Sequence, residues 1–336
     1  MVGIGFGARL AGVRAALHFL VYLFFRAVWM AGQALPLSWV RGLLEGLAQL
    51  AARADARHRR VIRSNVDIAF PDWSEARKER LVVSTFSTWG RIVAELMHAR
   101  ELAGAPGPRG LREVIQRVAL LRGEGRGVLI LTAHTGNFEL MGRACGLAGV
   151  ELAVFHRPMK NPYMNHYLLS ERAEMGMKSV GRNGGLRAVI EFLRSGGVIA
   201  APLDQNQRYG HGIFVETFGR AACTSTMLAR LSLATGAPVL PVFAAWEGDD
   251  LVVLSGEAVV PTGRDSPACG FETERDKAIA SLTAAYCAEV ERQIRRFPDQ
   301  WNWAHRRWKT RPSPDDGIVR QGRPGERTRE PRDRNK

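Results

Sequence analysis

Cysteine is scarce in this 336-residue chain, and its pattern excludes two common kinds of site. The four cysteines are scattered, and no two of them have CxxC spacing: Cys145, Cys223, Cys269 and Cys287. Zinc-finger and thioredoxin-like sites are therefore excluded, because both need closely spaced thiols. Since disulfide frameworks are typical of short secreted chains, we expect reduced thiols in a cytosolic compartment.

Motifs for covalent and metal catalysis are also missing. The sequence contains neither a GxSxG nucleophile motif nor an HExxH zinc motif. We therefore expect no metal and no other cofactor. If the protein transfers a group, we expect the group to pass directly to its acceptor.

Acidic residues are too few to balance the basic ones. The chain has 33 Asp and Glu against 47 Lys and Arg, which gives a formal net charge of +14. This excess favours an anionic partner, such as nucleic acid, an anionic membrane surface, a phosphorylated lipid or an acidic protein. The charge alone does not choose among them.

The N-terminus lacks an uninterrupted apolar run of membrane-spanning length. Residues 15–25 form an uncharged run of 11, and a second apolar run follows Arg26 and extends to Val40, whereas a spanning helix needs about 18 apolar residues. A continuous helix could still span the membrane or lie in its interface, and a buried core helix is the alternative. Aromatic residues typical of a membrane boundary favour an uncleaved membrane anchor over residues 1–45.

Beyond the anchor, short apolar runs alternate with helical patterns. The runs 127–132, 151–156 and 198–203 are typical of strands buried on both faces. This alternation predicts an α/β domain over residues 46–312, with a mostly parallel central sheet flanked by helices. Residues 313–336 are rich in Pro, Gly and charge, which predicts a disordered tail.

A basic stretch with three tryptophans comes directly before this tail. Residues 292–311 carry seven Lys and Arg against one acid. Such a mixture suits a phosphate-rich, partly apolar surface such as lipid headgroups. The simpler alternative is a solvated basic face.

The segment TAHTGNFEL, residues 132–140, is the strongest candidate for a catalytic site. His134 follows a predicted buried strand, and catalytic residues of α/β proteins concentrate at the carboxyl ends of strands. Gly136 permits a sharp turn, Asn137 is a good helix cap, and Glu139 falls in the first helical turn. Glu139 could therefore fold back and orient His134 as a general base, beside backbone N–H groups that receive an oxyanion. The structural alternative is a satisfied histidine at a strand end and an exposed glutamate.

The same segment resembles the HxxxxD/E motif of acyltransferases that act on lipids. Its glutamate form, AHTGNFEL, is similar to that of the late acyltransferases of lipid A biosynthesis. Further matches cover roughly residues 10–312, and these are FHRPMKNP (155–162), APLDQN (201–206), FGRAACTSTMLARLS (218–232) and FPDQWNWAHRRWKTRP (297–312).

The resemblance implies a glycerolipid-acyltransferase-like fold and an enzyme at the cytoplasmic face of the inner membrane. The donor would be an acyl carrier protein thioester, and the acceptor the 3-hydroxyacyl chain of a phosphorylated lipid A precursor. Both partners are acidic, which agrees with the basic chain, and nucleic acid is not expected. An acyltransferase for a lysophospholipid or glycolipid is the nearest alternative, although enzymes that make phosphatidic acid carry aspartate where this chain has Glu139. A non-catalytic basic protein that binds membrane or nucleic acid is the second alternative.

The resemblance also assigns residues to the substrate site. By position, Arg172 and Asp204 match a functional arginine and aspartate of the family, although Arg182 or Arg187 could be mistaken for the former. Without the family, Arg172 reads as a surface charge and Asp204 as a turn residue. The full set of predicted substrate-binding residues is Asn137, Arg157, Arg172, Asp204, Arg306, Arg307, Lys309 and Arg311.

Overall fold

The structure is a computed structural model and describes residues 3–122, 126–181, 185–261, 272–314 and 316–320. The helices are α1 (Gly3–Gln33), α2 (Leu37–Ala54), α3 (Ala56–Ala69), α4 (Glu75–Met97), α5 (Ala99–Ala103), α6 (Leu111–Arg122), α7 (Phe138–Leu147), α8 (Pro162–Glu174), α9 (Gly185–Arg194), α10 (Met227–Thr235) and α11 (Glu272–Arg296). The strands are β1 (Val128–Thr132), β2 (Leu152–His156), β3 (Met177–Gly181), β4 (Val198–Pro202), β5 (Ile213–Thr217), β6 (Arg220–Thr224), β7 (Val239–Glu247), β8 (Asp250–Ser255) and β9 (Ile318–Val319).

Helix α1 contains a segment that is long and apolar enough to cross a membrane. Its part Gly12–Gln33 has a mean hydropathy of 1.5, and only 11% of its most apolar stretch is buried. These properties suggest the membrane anchoring expected from the sequence. The boundary predicted at residue 45 falls inside α2, and the division into an anchor and a catalytic domain stays a prediction.

Six strands form the central sheet, in the order β3-β2-β4-β1-β7-β8. Neighbouring strands are parallel except β7 and β8, which are antiparallel. The predicted α/β fold with a mostly parallel sheet is therefore confirmed. Strand β1 is buried along its whole length, and its successive residues Leu129 and Ile130 pack into separate hydrophobic layers on the two faces of the sheet.

The register of β1 and β4 determines what lies at the carboxyl edge of the sheet. The two strands pair from Val128 with Val198 to Thr132 with Pro202, so that they end side by side. His134 follows the first strand by two residues, and Asp204 follows the second by two. The loops that carry these residues therefore leave the sheet next to each other.

A second, three-stranded sheet has the order β6-β5-β9. Strands β5 and β6 form a hairpin whose turn contains Phe218 and Gly219, both with positive φ. The sequence pattern predicted neither this hairpin nor β3. Ile318 and Val319 pair with β5 although they belong to the tail predicted to be disordered, whereas residues 321–336 of that tail lie outside the described residues.

Candidate active site

His134 and Asp204 form the central pair of the candidate site. The imidazole Nδ1 lies 2.8 Å from Asp204 Oδ1, and the backbone N–H of His134 donates to Asp204 Oδ2 at 2.9 Å. One carboxylate thus holds both the ring and the main chain of the histidine. Because Nδ1 faces an ionised carboxylate, it carries the proton, and Nε2 is left as a hydrogen-bond acceptor.

The surroundings fix the charge of this pair. Asp204 is buried and accepts a further hydrogen bond of 2.7 Å from Trp301 Nε1. Burial opposes ionisation of Asp204, but the charge and hydrogen bonds of His134 and the Trp301 bond outweigh it and lower the pKa of Asp204. Burial likewise lowers the pKa of His134, but the charge and hydrogen bond of Asp204 have the larger effect, so that the pKa of His134 is raised. The arrangement therefore stabilises the imidazolium that a general base becomes after it takes a proton.

The second ring nitrogen of His134, Nε2, lies next to an exposed side chain. Gln205 is exposed, and its Nε2 lies 3.2 Å from His134 Nε2. An amide N–H at this distance can donate to the acceptor nitrogen. A substrate hydroxyl that replaces Gln205 would present its proton to the same nitrogen.

Glu139 does not contact His134 as expected. The carboxylate that contacts His134 belongs to Asp204. The Glu139 carboxylate instead makes a bidentate ion pair with Arg172, at 2.9 and 2.7 Å, and lies 3.3 Å from Arg143 Nε. Glu139 is buried, which opposes its charge, but Arg172 and Arg143 lower its pKa. The prediction that Glu139 orients the imidazole was therefore wrong about the contact. The physical reason is that two guanidinium groups compete for this carboxylate, and bidentate Arg pairs are strong.

Asn137 is a structural residue of the turn and is not available to a substrate. It is completely buried, its Oδ1 caps α7 by accepting from the N–H of Leu140, and its Nδ2 donates to Glu95 at 2.9 Å. The expected helix cap is thus present, whereas the expected substrate contact is not, since both polar atoms are used internally. Glu95 also accepts from Trp246 Nε1 at 2.7 Å, so it ties α4 and β7 to the turn that follows His134.

The turn itself depends on Gly136. Its φ is +50°, and a Cβ there would lie 2.5 Å from the carbonyl oxygen of Ala244. A side chain would therefore force the turn away from β7.

An apolar cavity of about 230 Å³ opens beside the pair. His134, Glu139 and Arg172 lie along it, and the rest of its wall is mainly aliphatic, with Ile115, Ile130, Met141, Leu152, Val154, Met177, Val198 and Val242 among its residues. The cavity lies between the sheet and helices α6 and α7. Such a wall suits a hydrocarbon chain, because no charged group beyond the cluster at His134 needs a partner there.

The four basic residues predicted near the C-terminus divide into two groups. Arg307 is only 2% exposed and donates to the backbone oxygens of Gln205 and Cys223 and to Thr224 Oγ1. Because this guanidinium is buried and bonded to oxygens of the protein, the structure does not support the predicted contact of Arg307 with substrate. Arg306, Lys309 and Arg311 are exposed and remain candidates for substrate binding.

The remaining predicted arginines differ in position. Arg157 is exposed on the loop between β2 and α8, outside the lining of the cavity. Arg187 is exposed on α9 and pairs with Glu191, whereas Arg182 lies outside the described residues. Among the described arginines named here, Arg172 is the one that lines the cavity together with His134, and its role in the site stays a prediction.

The described part of the chain contains no group of three His, Cys, Asp or Glu residues that could hold a metal ion. Three cysteines are free thiols, and Cys269 lies outside the described residues. The site is therefore built from a histidine–carboxylate pair, an arginine–carboxylate pair and an apolar cavity.

An α/β fold with a histidine–carboxylate pair beside an apolar cavity, together with an N-terminal apolar helix, fits an enzyme that acts on acyl chains. Residues 9–310 match the family of bacterial lipid A biosynthesis acyltransferases. The chain belongs to this family and is an acyltransferase of lipid A biosynthesis.

Two relatives from Escherichia coli agree with this family. The chain is 28% identical to the lipid A biosynthesis lauroyltransferase of Escherichia coli (strain K12), over 88% of this chain and 93% of that protein. It is 26% identical to the palmitoleoyltransferase of the same strain, over 78% and 82% of the two chains. Among solved structures, the 1-acyl-sn-glycerophosphate acyltransferase PlsC from Thermotoga maritima aligns with 78% of this chain and 99% of its own, with 14% identity and a TM-score of 0.34.

Proposed function

We propose that this enzyme moves a fatty acyl group from an acyl carrier protein thioester to the hydroxyl of a 3-hydroxyacyl chain on a phosphorylated lipid A precursor. His134 acts as the general base. The observation that carries this proposal is the His134–Asp204 pair, which leaves Nε2 as an acceptor, with His134 in the lining of an apolar cavity. The reaction takes place at the cytoplasmic face of the inner membrane, where the N-terminal helix holds the enzyme.

The proton and the acyl group move in opposite directions. His134 Nε2 takes the proton of the acceptor hydroxyl while the oxygen attacks the thioester carbonyl carbon. The C–S bond then breaks, and the imidazolium returns the proton to the leaving thiolate, which departs as a thiol. Asp204 keeps Nδ1 protonated throughout and stabilises the charged ring.

Arg172 is suited to the negative charge that develops on the carbonyl oxygen. Its Nε and Nη2 are held by Glu139, whereas its buried Nη1 has no hydrogen-bond partner among the described residues. Arg172 also lines the cavity. A preorganised donor of this kind stabilises an oxyanion without having to rearrange during the reaction. We therefore assign to Glu139 the role of orienting Arg172.

The aliphatic wall of the cavity would hold the acyl chain of the donor. With the chain inside, the thioester carbonyl lies at the mouth between His134 and Arg172. An acyl chain in a dry cavity contributes about 0.8 kcal/mol for each CH₂ removed from water.

The test is a reconstitution with the full-length enzyme in detergent micelles. The enzyme is mixed with acyl carrier protein thioester and a lipid A precursor that has free 3-hydroxyacyl hydroxyls. The mass of the lipid product is measured by mass spectrometry. We expect a gain of one acyl mass, in an ester on the 3-hydroxyl. A precursor that lacks this hydroxyl is the matched control and should gain nothing. If both precursors gain the mass, or neither does, the proposed acceptor is wrong.

A further inference from the structure

A groove lined with basic side chains lies on the outer side of α3, next to the C-terminal segment. Six cations line it, and we refer to it as the basic groove: Arg57, Arg60, Arg220, Arg306, Lys309 and Arg311. They come from helix α3, the first residue of β6, and residues 306–311. No Asp or Glu lines the groove.

The six cations lack the ion pairs made by their neighbours on α3. Arg59 pairs with Glu79, and Arg63 pairs with Asp67 and Glu75. Within the part of the chain that the structure describes, none of the six groove cations pairs with a carboxylate. The side of α3 that faces the groove therefore keeps its charge uncompensated, while the other side is neutralised.

The positive charges of the groove are also close together. Burial and the nearby charge of Arg311 both lower the pKa of Arg220. Two guanidinium groups that repel each other in a recess are stabilised by a compact anion with several oxygens. A phosphate group fits this description better than the spaced carboxylates of a protein surface.

The groove lies next in the chain to an exposed apolar face. Helix α2 follows the apolar helix α1 and exposes Trp39, Leu43, Leu47 and Leu50, which are 70, 58, 52 and 57% exposed. Their spacing puts them on one face of the helix, and the opposite face packs on α4. Helix α3 begins two residues after α2 ends, so Arg57 and Arg60 come directly after this apolar face.

The groove also backs onto the loops of the active site. Asn65 of α3 donates to the backbone oxygens of Trp303 and His305, both at 2.7 Å. His305 Nε2 in turn accepts from the N–H of Asn206, next to Gln205 at His134. A headgroup held in the groove would therefore lie on the other side of the segment that borders the reacting atoms.

We propose that the basic groove binds a phosphate of the acceptor lipid's headgroup, an inference that rests on the proposed function. The proposed site thus combines three predicted substrate-binding residues, Arg306, Lys309 and Arg311, with three cations from distant parts of the sequence, Arg57, Arg60 and Arg220. The groove positions the acceptor, while the cavity holds the donor's acyl chain.

The test measures binding, so that it can be read even if acyl transfer fails. The variant Arg60→Gln/Lys309→Gln removes two groove charges, and Arg187→Gln/Arg194→Gln on α9 removes two exposed charges elsewhere as a matched control. Both are prepared as full-length protein in neutral detergent, and a matching thermal unfolding midpoint confirms that each is folded. The probes are a bisphosphorylated glucosamine disaccharide lipid with 3-hydroxyacyl chains and its dephosphorylated counterpart.

We expect the groove variant to bind the bisphosphorylated probe at least about tenfold more weakly, since a charge-assisted hydrogen bond contributes enough for that factor. Its affinity for the dephosphorylated probe should stay within twofold, and the control should bind both probes like the parent. Arg60→Lys/Lys309→Arg should retain most of the affinity. An equal loss for both probes, or no loss, overturns the proposal.

Two further measurements distinguish other occupants. If the groove variant raises the KM for acyl carrier protein thioester and leaves acceptor binding unchanged, the groove binds an acidic donor and the proposal is wrong. If it loses only flotation with phosphatidylglycerol vesicles, relative to phosphatidylcholine vesicles and the control, the groove binds the bulk membrane surface and the proposal is again wrong.

Discussion

The candidate site contains two buried carboxylates, Asp204 and Glu139, which differ in their partners and in their distance from His134 along the chain. Asp204 lies 70 residues from His134 in sequence and holds the imidazole. Glu139 lies five residues from His134 and holds Arg172, which is 33 residues away. The carboxylate nearer in sequence is therefore not the one that contacts His134. Asp204 contacts it because β1 and β4 end side by side in the parallel sheet.

We expect the His134–Asp204 pair to make the larger contribution to catalysis. We expect His134→Ala to lower kcat by about 10²–10⁴, the usual contribution of a general base. Asp204→Asn should lower kcat within the same range, because the amide no longer favours the required tautomer. Initial rates with saturating donor and acceptor measure both effects. His211→Ala, at an exposed histidine before β5, is the control, and a His134→Ala enzyme with half the parental turnover would refute the mechanism.

Substitution of Glu139, which pairs with Arg172, should lower the stability of the protein. Glu139→Gln leaves Arg143 and Arg172 without their shared carboxylate, and breaking a buried ion pair in this way costs about 3–5 kcal/mol. We expect the free energy of unfolding in urea to fall by that order. Glu191→Gln removes the exposed carboxylate that pairs with Arg187 and should change stability little. Equal stabilities of the two variants would contradict the role assigned to Glu139.

The two neighbouring arginines of the C-terminal segment allow a finer comparison. Arg307→Ala removes three hydrogen bonds made by a buried guanidinium, so the free energy of unfolding should fall by about 1–3 kcal/mol. Arg306→Ala removes an exposed side chain and should change it by less than about 0.5 kcal/mol. Chemical denaturation of both variants measures the difference. A larger loss for Arg306→Ala would contradict the division into a buried and an exposed arginine.

The smallest expected effect is a shift in pH dependence. His134 must be neutral to accept a proton, so kcat/KM should rise with pH through the pKa of His134, which Asp204 raises. Asp204→Asn removes this influence and should move the rise to lower pH. Glu139→Gln should leave its midpoint nearly unchanged, since Glu139 does not contact the imidazole. A profile that responds to Glu139→Gln and not to Asp204→Asn would reverse the two roles.

The sequence predicted the main strands of the sheet well, because they are short apolar runs bounded by polar residues. The run predicted at 198–203 is strand Val198–Pro202, and His134 indeed follows a buried strand. Strand β3 and the β5–β6 hairpin escaped prediction because their residues are only partly apolar and do not alternate clearly.

The site was harder to predict than the fold. The order of strands in the sheet is not visible in a single sequence, so the residues near His134 suggested Glu139 as its partner. Asp204 was found through the family resemblance, and its role only through the geometry. Arg307 was grouped with its basic neighbours as a substrate contact, because its burial depends on carbonyl groups from loops that are distant in the sequence. Arg57, Arg60 and Arg220 gave no signal at all, since nothing in the sequence joins α3 to the turn at Gly219.

The paired ending of β1 and β4 has a consequence for how this enzyme can change. The reacting pair is held in place by main-chain pairing between Thr132 and Pro202, and this pairing does not depend on the side chains that line the cavity or the basic groove. Substitutions of the aliphatic residues of the cavity wall or of the groove cations can therefore alter which lipids are accepted while the geometry of the His134–Asp204 pair stays the same. An insertion of one residue after either strand would disrupt that geometry without touching any substrate contact.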